Sequence, residues 1–509
     1  MKILYQNLIL PIKHLQLKYM PILIIYFSYG ISQFLSIAEI FWIKNELNLS
    51  SVEVIQLSFW LFAPWTYKII FAQAIERIQI FGSLRKSYII IGALINFAGY
   101  IMLIGIANDM HWVKIFGNTY HQLLVAGILK ASGYIIQDLI ADTLCFELVS
   151  KTDSEGKPLS ADLIKFEIGI LQLQGKLILK FGLLISATIG GYLAANFSFS
   201  YIVWYSLLVP IFSLLSLINL NFNEQISKTQ LNKYYLFFIL LSIAISLYIE
   251  IKKIPFNQEI VFVINLLVVI FLIHPFLTFM DNAKLIRFLT FSGMIFIYRM
   301  QPHFGPAIDW WQIDVLQFNP HFFANLKQAT IIIGVCGTWL LSSFIIKSSI
   351  PRIIIAFTII STIFKLPIIG MAYGLHIWTE QVFGFGAKTI ALIDTSLSSP
   401  FDIAFMASVW TFYTLNSPTN NRFTYFALVA CLLNLEYAAA ELLTKYLNQI
   451  YFVERGQYEL IPNLTLSVTC INFILPILGV LFFTILNKKF SSHHLDKQSK
   501  PELIIATPN

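Results

Sequence analysis

The chain reads as an all-α polytopic membrane protein, and three features carry that reading. Hydrophobic residues make up 57% of its 509 positions and charged residues only 12%, with a mean hydropathy of +0.73. A soluble protein carries about 25% charged residues, so half that fraction points to helices in lipid rather than a large soluble core. The apolar residues also fall into runs of roughly 17–25, the length that crosses a hydrocarbon core. One bundle would use the whole chain, so length says little about domain number.

Taken in order, spans are expected near 20–43, 54–75, 88–107, 121–148, 166–195 and 199–219. A charged linker follows from Asn219 to Lys233, with Glu224 and Lys228 inside it. Two further spans are expected near 234–250 and 260–280, then a second set near 286–301, 325–346, 351–374, 388–414, 422–447 and 464–487. The order six, two, six suggests the two halves of a major facilitator bundle, related by an axis along the membrane normal, with about two extra central spans. The corresponding divisions are an N-terminal segment 1–19, a six-helix half 20–219, a linker with the inserted pair 220–285, a second half 286–487 and a tail 488–509.

Short loops set the orientation. Arg77, Arg85 and Lys86, then Lys228 and Lys233, Lys284 and Arg287, Lys347 and Arg352, and Lys488 and Lys489 all fall on the side of the basic N-terminus. The positive-inside rule makes that side cytoplasmic, so both termini are expected there, in a cell (inner) membrane. Lys252 and Lys253, between the two inserted spans, break the rule. The sequons at Asn48, Asn196 and Asn463 fall on the opposite side. No small-residue cleavage site follows the first apolar run, so the first span is expected to be retained.

Several function classes drop out. The formal charge of +7 is spread over loops on one side and does not form a nucleic-acid footprint. Cys145, Cys336, Cys431 and Cys470 have unrelated spacings, so neither a disulfide framework nor a metal site is expected, and they read as small packing residues. No Walker loop, zinc-ligand pair or glycine-rich dinucleotide turn is present; neither an enzyme nor an ATP-driven pump is expected, and no cofactor.

The residues that could carry chemistry lie within the spans. Asp138 and Asp142 are four apart in the fourth span, roughly 40° from each other around a helix. Carboxylates are costly in a spanning helix and usually face a bundle interior or a water-filled cavity. Asp394 and Asp402 occupy the corresponding span of the second half, eight apart. Intramembrane cations are Lys68, Lys130, Lys176, Lys180, Arg299 and Lys365. Lys130 is one possible structural partner for the acidic pair, and Lys176 or Lys180 another. Glu147 falls on the opposite face from Asp138, near the inner end, where a loop salt bridge is expected. Glu436 and Glu441 rank below these. After the second span, Glu76, the Gly82 turn and the basic pair Arg85-Lys86 could latch two helices at their cytoplasmic ends, or simply set topology.

These motifs resemble those of the folate–biopterin transporter family of the major facilitator superfamily. The resemblance rests on Pro64-Trp65 and Lys68, followed by Glu76, Ile80-Phe81-Gly82, Arg85-Lys86 and Tyr88. It continues in Asp138, Asp142 and Glu147, in Phe296-Ile-Tyr-Arg299-Met-Gln-Pro302 with Pro306 and the run Asp314 to Pro320, in Asp394-Thr-Ser-Leu-Ser-Ser-Pro400, and in Asn434-Leu435. Glu76 stands where the family usually has Asp. The glycine near Ala72, a basic residue near Leu84 and an Arg at Leu148 are missing.

The resemblance implies a secondary carrier for a folate- or pterin-like organic anion, probing both faces of the membrane by alternating access and coupled to protons. Asp138, Asp142, Asp394 and Asp402 would couple protons or bind substrate. Lys68, Lys130, Lys176, Lys180 and Arg299 would meet the anion. Its partners would be that solute, protons and the bilayer, with the chain a monomer. One alternative keeps the fold and carries a peptide, muropeptide or nucleotide-like metabolite; another is a receptor or scaffold that has lost transport.

Overall fold

In the computed structural model, residues 13–149, 157, 159–218, 220, 233–278, 280–417 and 422–498 are described. Most of the linker expected between Asn219 and Lys233 and the end of the tail lie outside them. Among the described residues the chain is helical, without named strands.

The first half consists of α1 (Leu17–Asn45), α2 (Ser51–Arg77), α3 (Lys86–Ala107), α4 (Thr119–Glu147), α5 (Ala161–Asn196) and α6 (Phe199–Leu217). The inserted pair is α7 (Lys233–Ile251) and α8 (Asn257–Leu277). The second half runs through α9 (Asn282–Arg299), α11 (Pro320–Lys347), α12 (Ile350–Ala372), α14 (Ala387–Leu415), α15 (Arg422–Tyr451) and α16 (Ile461–Gln498). The short helices α10 (Pro306–Asp314) and α13 (Leu375–Phe383) sit between spans. This is the six, two, six order expected from hydropathy. Ten of these segments are long and apolar enough to cross a membrane by length and composition among the described residues. At 1.5 Å per residue, α7 and α8 reach roughly 30 Å, sufficient for a complete crossing.

Local chemistry sets the helix ends. Ser50 and Glu53 form a reciprocal capping box that starts α2, satisfying two orphan N–H groups. Asn118, Ser160 and Asp281 cap α4, α5 and α9 by accepting from backbone N–H groups. Pro64 lacks an N–H, and α2 breaks three residues later at Tyr67 before restarting at Lys68. In α1 a 3₁₀ turn over Ser32–Leu35 interrupts the α-helix, tightening it near its middle.

Close helix contacts position the site. A Cβ added at Gly133 of α4 would lie 2.6 Å from the Gly92 carbonyl of α3, so only glycine lets these backbones touch. That contact aligns Lys130, Tyr134 and Asp138 along one row of α4. A Cβ at Gly191 of α5 would lie 2.2 Å from that of Ala324 on α11, where the two halves meet.

The halves are tied at the end of the bundle remote from the termini. Lys44 pairs with Asp314 at 2.6 Å. Arg455 donates to the carbonyls of Ile43 and Lys44 at 2.8 and 2.7 Å and lies over the Trp310 ring. Ser51 Oγ donates to the Val453 carbonyl at 2.8 Å. The inserted α8 touches both halves: Gln258 donates to the Gln56 carbonyl of α2, and Lys445 and Tyr446 of α15 both bond Glu259.

Candidate functional site

The break in α2 explains the centre of the site. Lys68, the first residue after it, is buried. Its Nζ lies 2.6 Å from Asp138 and 3.6 Å from Asp142 on α4. Tyr26 of α1 donates to Asp142 Oδ1 at 2.8 Å, and Lys176 of α5 lies over the face of the Tyr26 ring, 5.2 Å from its centroid. Four helices thus converge on two carboxylates. They border a narrow cleft, lined by Ile25, Tyr26, Tyr29, Tyr134, Gln137 and Asp138.

Charge counting defines what this cluster can do. Two carboxylates face one ammonium within 4 Å, with a second ammonium beyond the Tyr26 ring. Adding one proton to Asp142 leaves a one-to-one pair between Lys68 and Asp138. Asp142 is the more open of the two acids, its side chain 35% exposed against 17% for Asp138, while Asp138 is the one that lines the cleft.

The other expected residues distribute as follows. Lys130 is not the partner of the acidic pair; it lies 3.4 Å from Glu39 of α1. Eight residues of helix separate it from Asp138 by roughly 12 Å along the axis, too far for an ion pair. Lys180 is half-buried one turn from Lys176. Arg299 pairs with Glu436, which is completely buried, and lies over the Tyr437 ring at 4.7 Å. Glu436, ranked low from sequence, is therefore the central acid of the second half. Asp394 has one buried oxygen with no hydrogen-bond partner among the described residues, and Lys365 is in electrostatic range. No contact joins Asp394 to Asp138 or Asp142 among those residues. Asp402 falls on α14, and its side chain lies outside the described residues.

In the loop after α2, Gly82 takes a φ of +77° in a turn closed by mutual bonds between Ile80 and Ser83. Arg85, only 2% exposed, makes a two-pronged pair with Glu147 at 2.5 and 3.0 Å and donates to the Ile75 carbonyl. This is the loop salt bridge expected for Glu147, and it ties α2, α3 and α4 within one half. Glu76 sits beside Arg77 and Arg85, and the Lys86 N–H is bonded by Ser83. Two of the cysteines read as packing residues, Cys145 and Cys431, are buried, while Cys336 and Cys470 are exposed on the surface of the bundle.

At the remote end, burial pushes the Asp309 carboxyl up to about 6 against the pull of Lys327 and His303. Burial would also raise Asp314, but Lys44 and Tyr458 outweigh it and hold that carboxyl below its ordinary value. Tyr26, Glu39, Asp309 and Lys327 were not among the expected residues.

The architecture is that of a major facilitator bundle: an all-helical membrane protein of two six-helix halves with an inserted pair. No family model matches the chain, and no curated protein is similar to it at a significant level. The fold is shared with solved transporters. A POT family transporter in complex with 5-aminolevulinic acid superposes with a TM-score of 0.64 at 12% identity, over 92% of this chain and 96% of that one. Peptide transporter POT in complex with sulfate gives 0.62 at 11% identity, over 92% and 95%. A structure from work on substrate recognition in proton dependent oligopeptide transporters gives 0.59 at 14% identity, over 93% and 99%. At these identities the likeness is one of fold.

Proposed function

We propose that this chain is a secondary active carrier that moves a small charged organic solute across a membrane by alternating access, linked to protons at Asp138 and Asp142. The observation that carries the reading is the two-to-one ratio of carboxylate to ammonium around Lys68, at a cleft within the membrane-spanning bundle. Ionisable groups buried in a bundle mark substrate or proton routes. Protonating Asp142 removes the surplus negative charge, so the empty and loaded carrier can reorient with different charge. The halves then separate along the seam held by Lys44, Asp314 and Arg455.

Among solutes, short peptides and related amphiphilic metabolites fit better than folate or pterin. The fold neighbours are named as oligopeptide transporters, and one holds 5-aminolevulinic acid. Folate or pterin transport is a second reading, favoured by the ordered motifs from Pro64-Trp65 to Asn434-Leu435 and by aromatic side chains at the cleft. In either case the protein is a multi-pass membrane protein without catalytic residues, with termini in the cytoplasm and the solute, protons and lipid as partners. Asp394, with Lys365 nearby, is a further acid for proton linkage.

Uptake into proteoliposomes under an imposed pH gradient tests this reading with a panel of dipeptides, folate and pterins. Gradient-dependent accumulation of one class supports it. Binding without flux of any solute contradicts it and favours a receptor.

A further inference from the structure

Ser36 and Glu39 stand one turn apart on α1 and share a face. Two lysines approach that face from opposite halves. Lys130 of α4 lies 3.4 Å from the Glu39 carboxylate, and Lys327 of α11 donates to Ser36 Oγ at 2.7 Å. Asp309 is on the first turn of α10, whose Ala307 and Ile308 pack in one cluster with Ile37 of α1 and Phe323 and Ala324 of α11, and it is within electrostatic reach of Lys327, which also senses Glu39. Lys130, Glu39, Lys327 and Asp309 therefore form a row of alternating sign that crosses the seam between the halves. All four are half-buried, enclosed by helices yet in reach of solvent.

The row is incompletely paired. Charge-assisted hydrogen bonds run to roughly 2.7–2.9 Å, and the Lys130–Glu39 contact is longer than that. Lys327 spends a donor on a neutral hydroxyl. Asp309 accepts no hydrogen bond from the described residues, and the groups acting on it are Lys327 and His303. The closed pairs elsewhere differ: Lys44 with Asp314 and Arg85 with Glu147 meet at 2.6 and 2.5 Å. A half-buried charge gains from a partner of opposite sign, and a ligand that carries both signs supplies one to each.

We propose that Lys327 and Asp309, with Lys130 and Glu39 beside them, form a binding site for a small solute carrying both an ammonium and a carboxylate, of amino-acid or short-peptide type. Lys327 and the Ser36 hydroxyl take the carboxylate, and Asp309 takes the ammonium. Glu39 stands between the two lysines and keeps them from binding a simple dianion. Because the four residues come from both halves, the bound solute bridges the seam and favours its closure. The assignment rests on the carrier reading above and names the solute class it would move.

Binding of dialanine to the full-length protein in detergent at pH 7.5, measured by titration calorimetry, tests the site against N-acetyl-dialanine and dialanine amide. Wild type binds dialanine, and each capped form at least about tenfold more weakly. In Asp309→Asn the free and N-acetylated forms bind alike; in Lys327→Gln the free and amidated forms bind alike; Lys327→Arg keeps the discrimination. Equal affinity of wild type for the three forms, or no binding of dialanine, overturns the site without need of any variant. Full discrimination retained in both neutral variants overturns it as well. If the site fails in this way while a pH gradient still drives uptake of another solute, the carrier reading stands. If dialanine binds with the stated selectivity and no solute is moved, the site stands and the carrier reading falls.

Discussion

Each half of the bundle buries a basic side chain against acid, but the two clusters are built to opposite ends. In the first half Lys68 meets two carboxylates, Asp142 with a side chain 35% exposed and Asp138 lining a cleft. In the second half Arg299 meets one, Glu436, whose side chain is fully buried. Arg299 also packs on Tyr437, whose ring stacks on Phe62 of α2, 5.3 Å away and 7° from parallel. One cluster has spare charge and an open side; the other is paired one to one, with its arginine packed on one aromatic ring. The difference teaches that an intramembrane ion pair is not by itself a functional site. On the proposed reading, charge imbalance together with access is what would let the Lys68 cluster exchange a proton while the Arg299–Glu436 pair holds the fold.

The comparison can be broken most forcefully in the second half. Glu436→Gln leaves Arg299 buried without a counter-charge and should cost about 3–5 kcal/mol, seen as a large drop in the thermal unfolding midpoint. A variant that melts like wild type would mean the pair is dispensable. Lys68→Gln should lower stability less, by about 1–3 kcal/mol, because Asp142 can take a proton or water, yet it should reduce gradient-driven uptake at least tenfold, roughly 1.4 kcal/mol in barrier terms. Equal uptake would remove the cluster from the mechanism.

A third test uses pH. The Asp309 carboxyl has a folded value raised to about 6, so the folded state binds more protons than the unfolded state between its ordinary value and about 6. Stability therefore falls as pH rises through that window, and the cost is fully present above it. Asp309→Asn should raise the midpoint at pH 7.5, by about 1–2 kcal/mol, and the gain should vanish near pH 4. A gain that grows on acidification would contradict the assignment. The smallest effect concerns Asp314, whose carboxyl is held below its ordinary value by Lys44 and Tyr458. The stabilisation is present above that ordinary value and lost as pH falls below it. Asp314→Asn should change stability little, below about 1 kcal/mol for a pair whose acid stays in reach of water, while widening the seam in spin-label distances between α1 and α10.

Much of this was legible in the sequence, and the exceptions have physical causes. Hydropathy placed the fourteen long helices, ten of which among the described residues are long and apolar enough to cross a membrane, because a bilayer demands long apolar runs. The Asp138–Asp142 pair stood out because acids are rare in such runs, and Lys68 because it sits in one. Their pairing was not legible: it depends on the break at Tyr67 that turns Lys68 toward α4. Lys130 suggested the wrong partner, since helical spacing gives a shared face but not the roughly 12 Å of rise between positions eight apart. Glu436 was undervalued because Arg299 lies 137 residues away in sequence. Glu39, Asp309 and Lys327 lie toward span ends or in a connecting helix, where charges read as ordinary loop residues. Only the packing of α10 and α11 against α1 brings them to one seam.

The central claim is that the surplus carboxylate at Lys68 carries the proton. It is tested most directly by dialanine accumulation in proteoliposomes under an inward pH gradient, comparing wild type with Asp142→Asn. Wild type should concentrate the dipeptide and lose that ability when a protonophore collapses the gradient. Asp142→Asn should still exchange labelled for unlabelled dipeptide at equilibrium but no longer accumulate it. Accumulation by Asp142→Asn equal to wild type, or accumulation by wild type that ignores the gradient, would contradict the account.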